Sequence, residues 1–277
     1  MSHRLKTLLS LLVLSLLSTP LLAEPTAVRL AIIIDDLGNS LEKGLDAIAL
    51  PGNISFAVMP HRKHSTTLAK RAGRLGKEVL LHAPMSTVNQ RALGPGALHE
   101  GLNEQQFKDR LSYAIDAIPY VHGINNHMGS QLTTNVRYML WVMQVLKTKG
   151  LFFVDSHTHP GSIAHQTALK TGVNSARRDI FLDNEPNIDH IHQQFKKALS
   201  IAQRYGSAIA IGHPYPSTLF YLKEVLPQLN GSQVELHFVS DLLKGGIQTR
   251  PLSASRTPSR PNPSLDQLVR QLRAANN

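Results

Sequence analysis

From Val28 onward the chain alternates short apolar runs with longer amphipathic stretches. The runs are VRLAIII (Val28–Ile34), ISFAVM (Ile54–Met59), EVLLH (Glu78–His82), LFFVD (Leu151–Asp155), IFLD (Ile180–Asp183), AIAIG (Ala208–Gly212) and VELHFVS (Val234–Ser240), with a shorter piece around HGINN (His122–Asn126). Several are apolar and β-branched on both alternations, as strands buried on both faces require. The intervening stretches carry helical spacing and end signals. In NEQQFKDRLSYAIDAI, residues Phe107, Leu111, Ala114, Ile115 and Ile118 share one face behind Asn103 as cap. Ser40 caps SLEKGLDAIAL, Thr133 or Thr134 caps TTNVRYMLWVMQVLKTKG, and Gly76, Gly150 and Gly206 stop three helices. Small polar residues before a helix and glycine after it follow the usual asymmetry of helix ends.

Strand–helix alternation at this spacing predicts mostly parallel strands with helices outside. About seven such units over roughly 220 residues suit a closed or nearly closed β/α barrel better than an open sheet. Two flanking segments fall outside the pattern. MSHRLK followed by TLLSLLVLSLLSTPLLA has the positive start and short apolar stretch of a secretory signal peptide, with cleavage expected after Ala23. The alternative is an uncleaved N-terminal anchor. GGIQTRPLSASRTPSRPNP is rich in Gly, Ser, Pro and Arg, so residues 246–277 are expected to be a disordered basic tail, with SLDQLVRQLRAANN a frayed or briefly helical end. The expected organisation is therefore signal peptide 1–23, barrel 24–245 and tail 246–277.

Composition narrows the function. The formal charge of +10 is peripheral: +2 lies at the N-terminus and +4 in the tail, leaving +4 on the body. Aromatics are 5%, so the basic surface with interleaved aromatics of a nucleic-acid binder is missing. The chain has no Cys, which removes disulfides, zinc–thiolate sites and thiol nucleophiles. An exported protein without cysteine suits a bacterial periplasm.

Catalytic groups of parallel β/α folds sit at the C-terminal ends of strands. Asp35 and Asp36 end the first run, His82 ends the third, His127 follows HGINN, Asp155 ends LFFVD and His213 follows AIAIG. Five strand ends thus bring Asp or His to one rim. Two adjacent carboxylates need a cation or a shared proton. A divalent ion held by one carboxylate and two imidazoles resolves this and leaves a position open for water, while the second Asp is free to act as base. A His on the opposite rim could protonate a leaving amine.

The ordered set IIIDDLG, LLHAPM, GINNHMGS, FFVDS, RRDIFLDN and IAIGHP resembles the polysaccharide deacetylases of the carbohydrate esterase superfamily, and most closely their divergent bacterial branch. The resemblance covers Leu30 to Ser240. It implies an α/β fold, a distorted (β/α)7-type barrel, a substrate bearing N-acetyl groups, and Zn2+ or a similar divalent metal. By position it implies Asp35 as catalytic base, Asp36 and His82 as metal ligands, and His213 as catalytic acid, with Asp155 holding the His213 tautomer. The pattern also departs from the family. Where the ordinary second motif has another His four residues on, this chain has Ser86, and NNHMGS replaces an Arg-Pro-Tyr type third motif. His127 is inferred to supply the missing imidazole, and Gly129 and Ser130 to approach the oxyanion.

Plainer roles exist for each. The Asp pair could cap a turn, NNH could build one, Asp155 could cap one, and His157 and His159 could bind metal instead. The expected function is a periplasmic metal-dependent hydrolase that removes N-acetyl groups from an envelope glycan or peptidoglycan fragment, with no nucleic-acid partner and no stable membrane span after cleavage. The alternative is a non-catalytic module on the same barrel that binds glycan or an envelope protein.

Overall fold

Val28–Leu37 forms β1, and every other element is arranged around it. The computed structural model describes residues 27–243 together with Asp266, Gln267 and Arg270. The chain continues through α1 (Leu41–Ile48), β2 (Ile54–Val58), α2 (Ser65–Arg74), β3 (Glu78–Met85), α3 (Glu104–Asp116), β4 (Val121–Met128), α4 (Val136–Lys149), β5 (Phe152–Asp155) and α5 (Ala164–Thr171). It then forms β6 (Ser175–Arg177), β7 (Ile180–Phe181), α6 (Ile188–Tyr205), β8 (Ser207–Gly212), α7 (Pro216–Val225), β9 (Val234–His237) and α8 (Val239–Leu243). All strand pairs are parallel, in the order β6-β5-β4-β3-β2-β1-β8-β7. Seven strand–helix units lie along this path among the described residues, the sixth opening with the short strands β6 and β7, and β9 with α8 adds a further unit off it.

The sheet path begins and ends on consecutive segments, β6 and β7. Between them Arg178 N donates to Asp155 O and Asp179 N to Ile209 O, each at 2.9 Å. The curled sheet is thus bridged by chain rather than by a strand pair, and this is where the barrel is distorted. β1 accepts β8 on one edge; on the other, Val28–Ala31 pair with β9 and Ile32 onward with β2.

Two apolar layers explain why the strands are hydrophobic on both alternations. Ala31, Ile33, Ala57, Leu80, Phe152, Val154, Ile209 and Ile211 meet inside the barrel with Val239 and Leu242 of α8. Leu30, Ile32, Ile34, Phe56, Leu81, Phe153 and Ala210 pack outward under the helices. The lower end is closed by Glu78. Its carboxylate accepts Ser55 Oγ at 2.7 Å, Val239 N at 3.0 Å and Ser240 N at 3.2 Å. This contact corrects the expected strand Val234–Ser240: it stops at His237 because Glu78 caps a helix that begins at Val239.

Other local departures have similar causes. Asn103 forms a capping box with Gln106, and Gly150 and Gly206 end their helices at positive φ, as expected. The cap of α4, however, is Asn135, because Leu132–Thr134 form a 3-10 turn. The short β6 and α5 lack a strong periodic signal. Of the expected tail, only Asp266, Gln267 and Arg270 are among the described residues, and they are helical. Asp266 Oδ1 bonds His192 Nε2 at 2.9 Å and Lys196 Nζ at 2.8 Å on α6. The rest of the tail and the expected signal peptide lie outside the described residues. No helix among the described residues is long and apolar enough to cross a membrane.

Candidate metal centre at the barrel mouth

Regular strands send neighbouring residues to opposite faces, so an Asp-Asp pair should be divided between the interior and the helix layer. A bulge prevents this. The β1–β2 register runs Ile34↔Phe56 and then Leu37↔Val58, which places one extra residue on β1. Asp36 takes up the irregularity at φ +62, left-handed backbone that a non-glycine residue rarely adopts. Asp35 keeps the interior parity of Ala31 and Ile33, and the bulge turns the Asp36 carboxylate to the same mouth.

The partners arrive by the same parity. His82 follows Leu80 on the interior face of β3, and β4 places Asn125 opposite His82, with His127 two residues further on. Asp36 Oδ1 lies 3.2 Å from His82 Nε2 and 3.0 Å from His127 Nδ1, and the two nitrogens are 3.1 Å apart. Asp35 Oδ2 is 3.6 Å from His82 Nε2. Asn125 joins the group from below: Nδ2 donates to Asp35 Oδ1 at 2.7 Å, and Oδ1 lies 2.8 Å from His82 Nδ1.

A carboxylate and two imidazoles thus present three donor atoms to one point. Ligands 2.0–2.1 Å from a tetrahedral Zn2+ lie roughly 3.3 Å from one another, close to the triangle seen here. Asp36 Oδ1 is buried and accepts no well-formed hydrogen bond, the expected state of an atom whose partner is a cation. The donor set therefore fits a divalent metal, with Asp36, His82 and His127 as its holders.

The electrostatics carry the same demand. Burial raises Asp35 above its ordinary range, and the Asp36 charge adds to this, although His82, His213 and Asn125 oppose it. Burial also disfavours ionised Asp36, but the two imidazoles facing it outweigh that and hold it well below the carboxylate range. Burial would lower His82; Asp35 and Asp36 raise it instead. The two carboxylates, Asp35 buried and Asp36 partly exposed, thus favour positive charge in the pocket between them.

His213 follows Ile209 and Ile211 on the interior face at the end of β8. Its orienting partner is Asp183, not Asp155. Asp183 is buried and its Oδ1 lies 2.8 Å from His213 Nδ1, while Oδ2 accepts His213 N at 2.6 Å and Thr218 Oγ1 at 2.7 Å. Burial would lower His213, but the Asp183 hydrogen bond and charge, with Asp35 and Asp36, push it up to about 9.

The expected role of Asp155 is corrected by strand parity. Phe152 and Val154 face the interior whereas Phe153 faces the helices, so Asp155 turns outward. There it accepts His157 N and Ser162 Oγ, both at 2.8 Å, and stabilises the turn before α5. His157 and His159 are not among the three clustered donors. Ser86, where the ordinary motif has a second His, donates to Glu100 at 2.8 Å. Two site residues escaped the sequence reading. Asp183 ends the run IFLD and satisfies the strand-end rule. Asn125 carries no charge and left no signal beyond its place beside His127.

Comparison with known proteins bears on the family and the fold. The divergent polysaccharide deacetylase model matches residues 32–243. The uncharacterized protein YibQ of Escherichia coli (strain K12) is 38% identical over 213 residues, 77% of this chain and 66% of YibQ, so the chain spans just under two thirds of that relative. An uncharacterized protein from Agrobacterium tumefaciens C58 has a crystal structure similar at TM-score 0.75 and 24% identity, over 78% of this chain and 89% of that one. The catalytic domain of a peptidoglycan N-acetylglucosamine deacetylase from Eubacterium rectale matches at TM-score 0.50 and 12% identity, over 86% and 96% of the two chains. A mutant of a CE4 family pseudoenzyme matches at 0.50 and 14%, over 79% and 68%. These structural likenesses concern the fold alone. With its family model covering most of the sequence, this chain belongs to the divergent polysaccharide deacetylase family.

Proposed function

We propose that the protein is a metal-dependent N-deacetylase acting on an N-acetylated glycan of the cell envelope, and that it works in the periplasm. One observation carries this reading: Asp36, His82 and His127 aim three donor atoms at one point, 3.0–3.2 Å apart, between a buried Asp35 and an Asp-held His213. A divalent cation bound there, Zn2+ before others for this donor set, supplies Lewis acidity toward water and the amide carbonyl. Asp35 accepts the proton of the attacking water. His213, charged at neutral pH and held through Nδ1 by Asp183, donates its Nε2 proton to the departing amine. The family supports a carbohydrate substrate. The periplasmic assignment rests on the N-terminal charge and hydropathy pattern.

The test is metal analysis of the purified protein, wild type against Asp36→Ala, with acetate release from N-acetylated oligosaccharides followed for both. The expected result is one metal per chain and acetate release in the wild type, both lost in the variant. A wild type that stays metal-free under zinc-replete conditions refutes the reading. Fractionation of cells making the full chain tests the location.

A second reading, a module that binds glycan or an envelope protein without turnover, is supported by the altered second and third motifs and by the occurrence of a pseudoenzyme on this fold. Glycan binding unaffected by Asp35→Asn, with no acetate released, would favour it.

A further inference from the structure

We propose that Asn125 is a positioning residue whose single side-chain amide sets both the tautomer of His82 and the oxygen through which Asp35 acts. The inference rests on the metal-centre reading above and goes a step beneath it. Asn125 is fully buried on β4, directly opposite His82 in the β3–β4 register. An ionised carboxylate only accepts hydrogen bonds, so the atom 2.7 Å from Asp35 Oδ1 is the amide nitrogen. Its second contact, 3.4 Å to Ser156 Oγ, lies on the same side. The amide oxygen must then face His82 Nδ1, 2.8 Å away. A carbonyl only accepts, so His82 carries its proton on Nδ1.

Two consequences follow at opposite ends of the amide. At His82, the lone pair of the neutral ring is confined to Nε2, the nitrogen that faces Asp36 Oδ1 and His127 Nδ1. Without Asn125 the ring could place N–H there and exclude a cation. Groups that orient a ligating imidazole in this way typically change metal affinity by about 10- to 100-fold. At Asp35, Oδ1 is occupied by the amide N–H. The oxygen left to take a proton is Oδ2, the one nearer His82 Nε2 at 3.6 Å. The base is thereby aimed into the site, and the neutral amide does so without adding a charge that would stabilise ionised Asp35 further.

The two halves can be separated by substitution. Asn125→Ala removes both contacts. Asn125→Asp keeps an oxygen acceptor for His82 Nδ1–H but sets a second carboxylate against Asp35, so the two share a proton and Asp35 is lost as a free base. Zinc affinity is measured by chelator competition, and histidine N–H resonances by 15N-resolved NMR in the metal-free and zinc-loaded proteins. His82→Gln assigns the His82 resonances. A slowly exchanging Nδ1–H on His82 is expected in the wild type, with or without zinc, and its protection is lost in Asn125→Ala. Zinc affinity should fall 10- to 100-fold in Asn125→Ala and be retained in Asn125→Asp, whose acetate release nevertheless drops at least tenfold. Unchanged zinc affinity in a folded Asn125→Ala, or zinc-loaded wild type with its His82 proton on Nε2, overturns the inference. Failure of the wild type to bind zinc refutes the metal-centre reading instead, while the Nδ1–H signal of the metal-free protein still decides the amide orientation.

Discussion

Replacing Asp183 by Asn asks what keeps a proton on His213. The carboxylate of Asp183 clamps both the ring and the backbone of His213 at 2.8 and 2.6 Å. Burial would push this imidazole below 6.5, yet Asp183, helped by Asp35 and Asp36, holds it at about 9. The difference of about 2.5 corresponds to roughly 3 kcal/mol in favour of the imidazolium. Asn preserves the shape but contributes no charge, so most of that preference should vanish and His213 should titrate near 7 or lower. At pH 8 the protonated fraction then falls from roughly nine-tenths to roughly one-tenth.

The folded value lies above the unfolded one. The associated stability is therefore complete below pH 6.5 and is lost as pH rises through about 9. The wild type should lose up to about 3 kcal/mol across that window, and the variant much less. The slope carries the test, because the carboxylate also accepts Thr218 Oγ1 and its loss is destabilising at any pH. The assay is an NMR titration of 13C-labelled histidine, with His213→Gln for assignment, alongside urea unfolding at pH 6 and pH 9.5. A variant His213 that titrates where the wild type does, with the same stability slope, would show that Asp183 does not hold the proton.

Three further outcomes follow from named contacts. Asp155→Ala should cost about 2–3 kcal/mol in urea unfolding, because His157 N and Ser162 Oγ lose their acceptor, yet leave the His213 titration unmoved. A lowered His213 value in that variant would restore Asp155 to the site. Glu78→Ala should destabilise by about 2–4 kcal/mol by orphaning Val239 N, Ser240 N and Ser55 Oγ, with faster amide exchange across α8 as the local readout. His127→Ala should reduce zinc affinity at least 100-fold in a chelator competition, since the ring supplies one of three protein donors.

The strand-end rule carried the site reading a long way. It selects Asp35, Asp36, His82, His127 and His213, which the fold brings to one mouth, because parallel β/α topology delivers every strand's C-terminus to the same side. The same rule admits Asp155 and should have admitted Asp183, which ends IFLD. Telling them apart requires knowing which way LFFVD faces, and Phe152, Phe153 and Val154 are all buried. Asn125 was out of reach for another reason. A neutral amide matters only through the groups it touches, and His82 and Asp35 lie 43 and 90 residues away in the chain.

Local pattern by itself determined the parallel strand–helix order, several helix ends and the convergence of acidic and imidazole groups on one rim. These depend on neighbours within a few residues: cap, stop, β-branched run. Tertiary structure alone decided which alternation of each strand faces the interior, and that a bulge would turn Asp36 toward the same pocket as Asp35. Strands apolar on both faces carry no inside–outside signal. Closure of the sheet against α8, together with the extra residue on β1, supplies that choice.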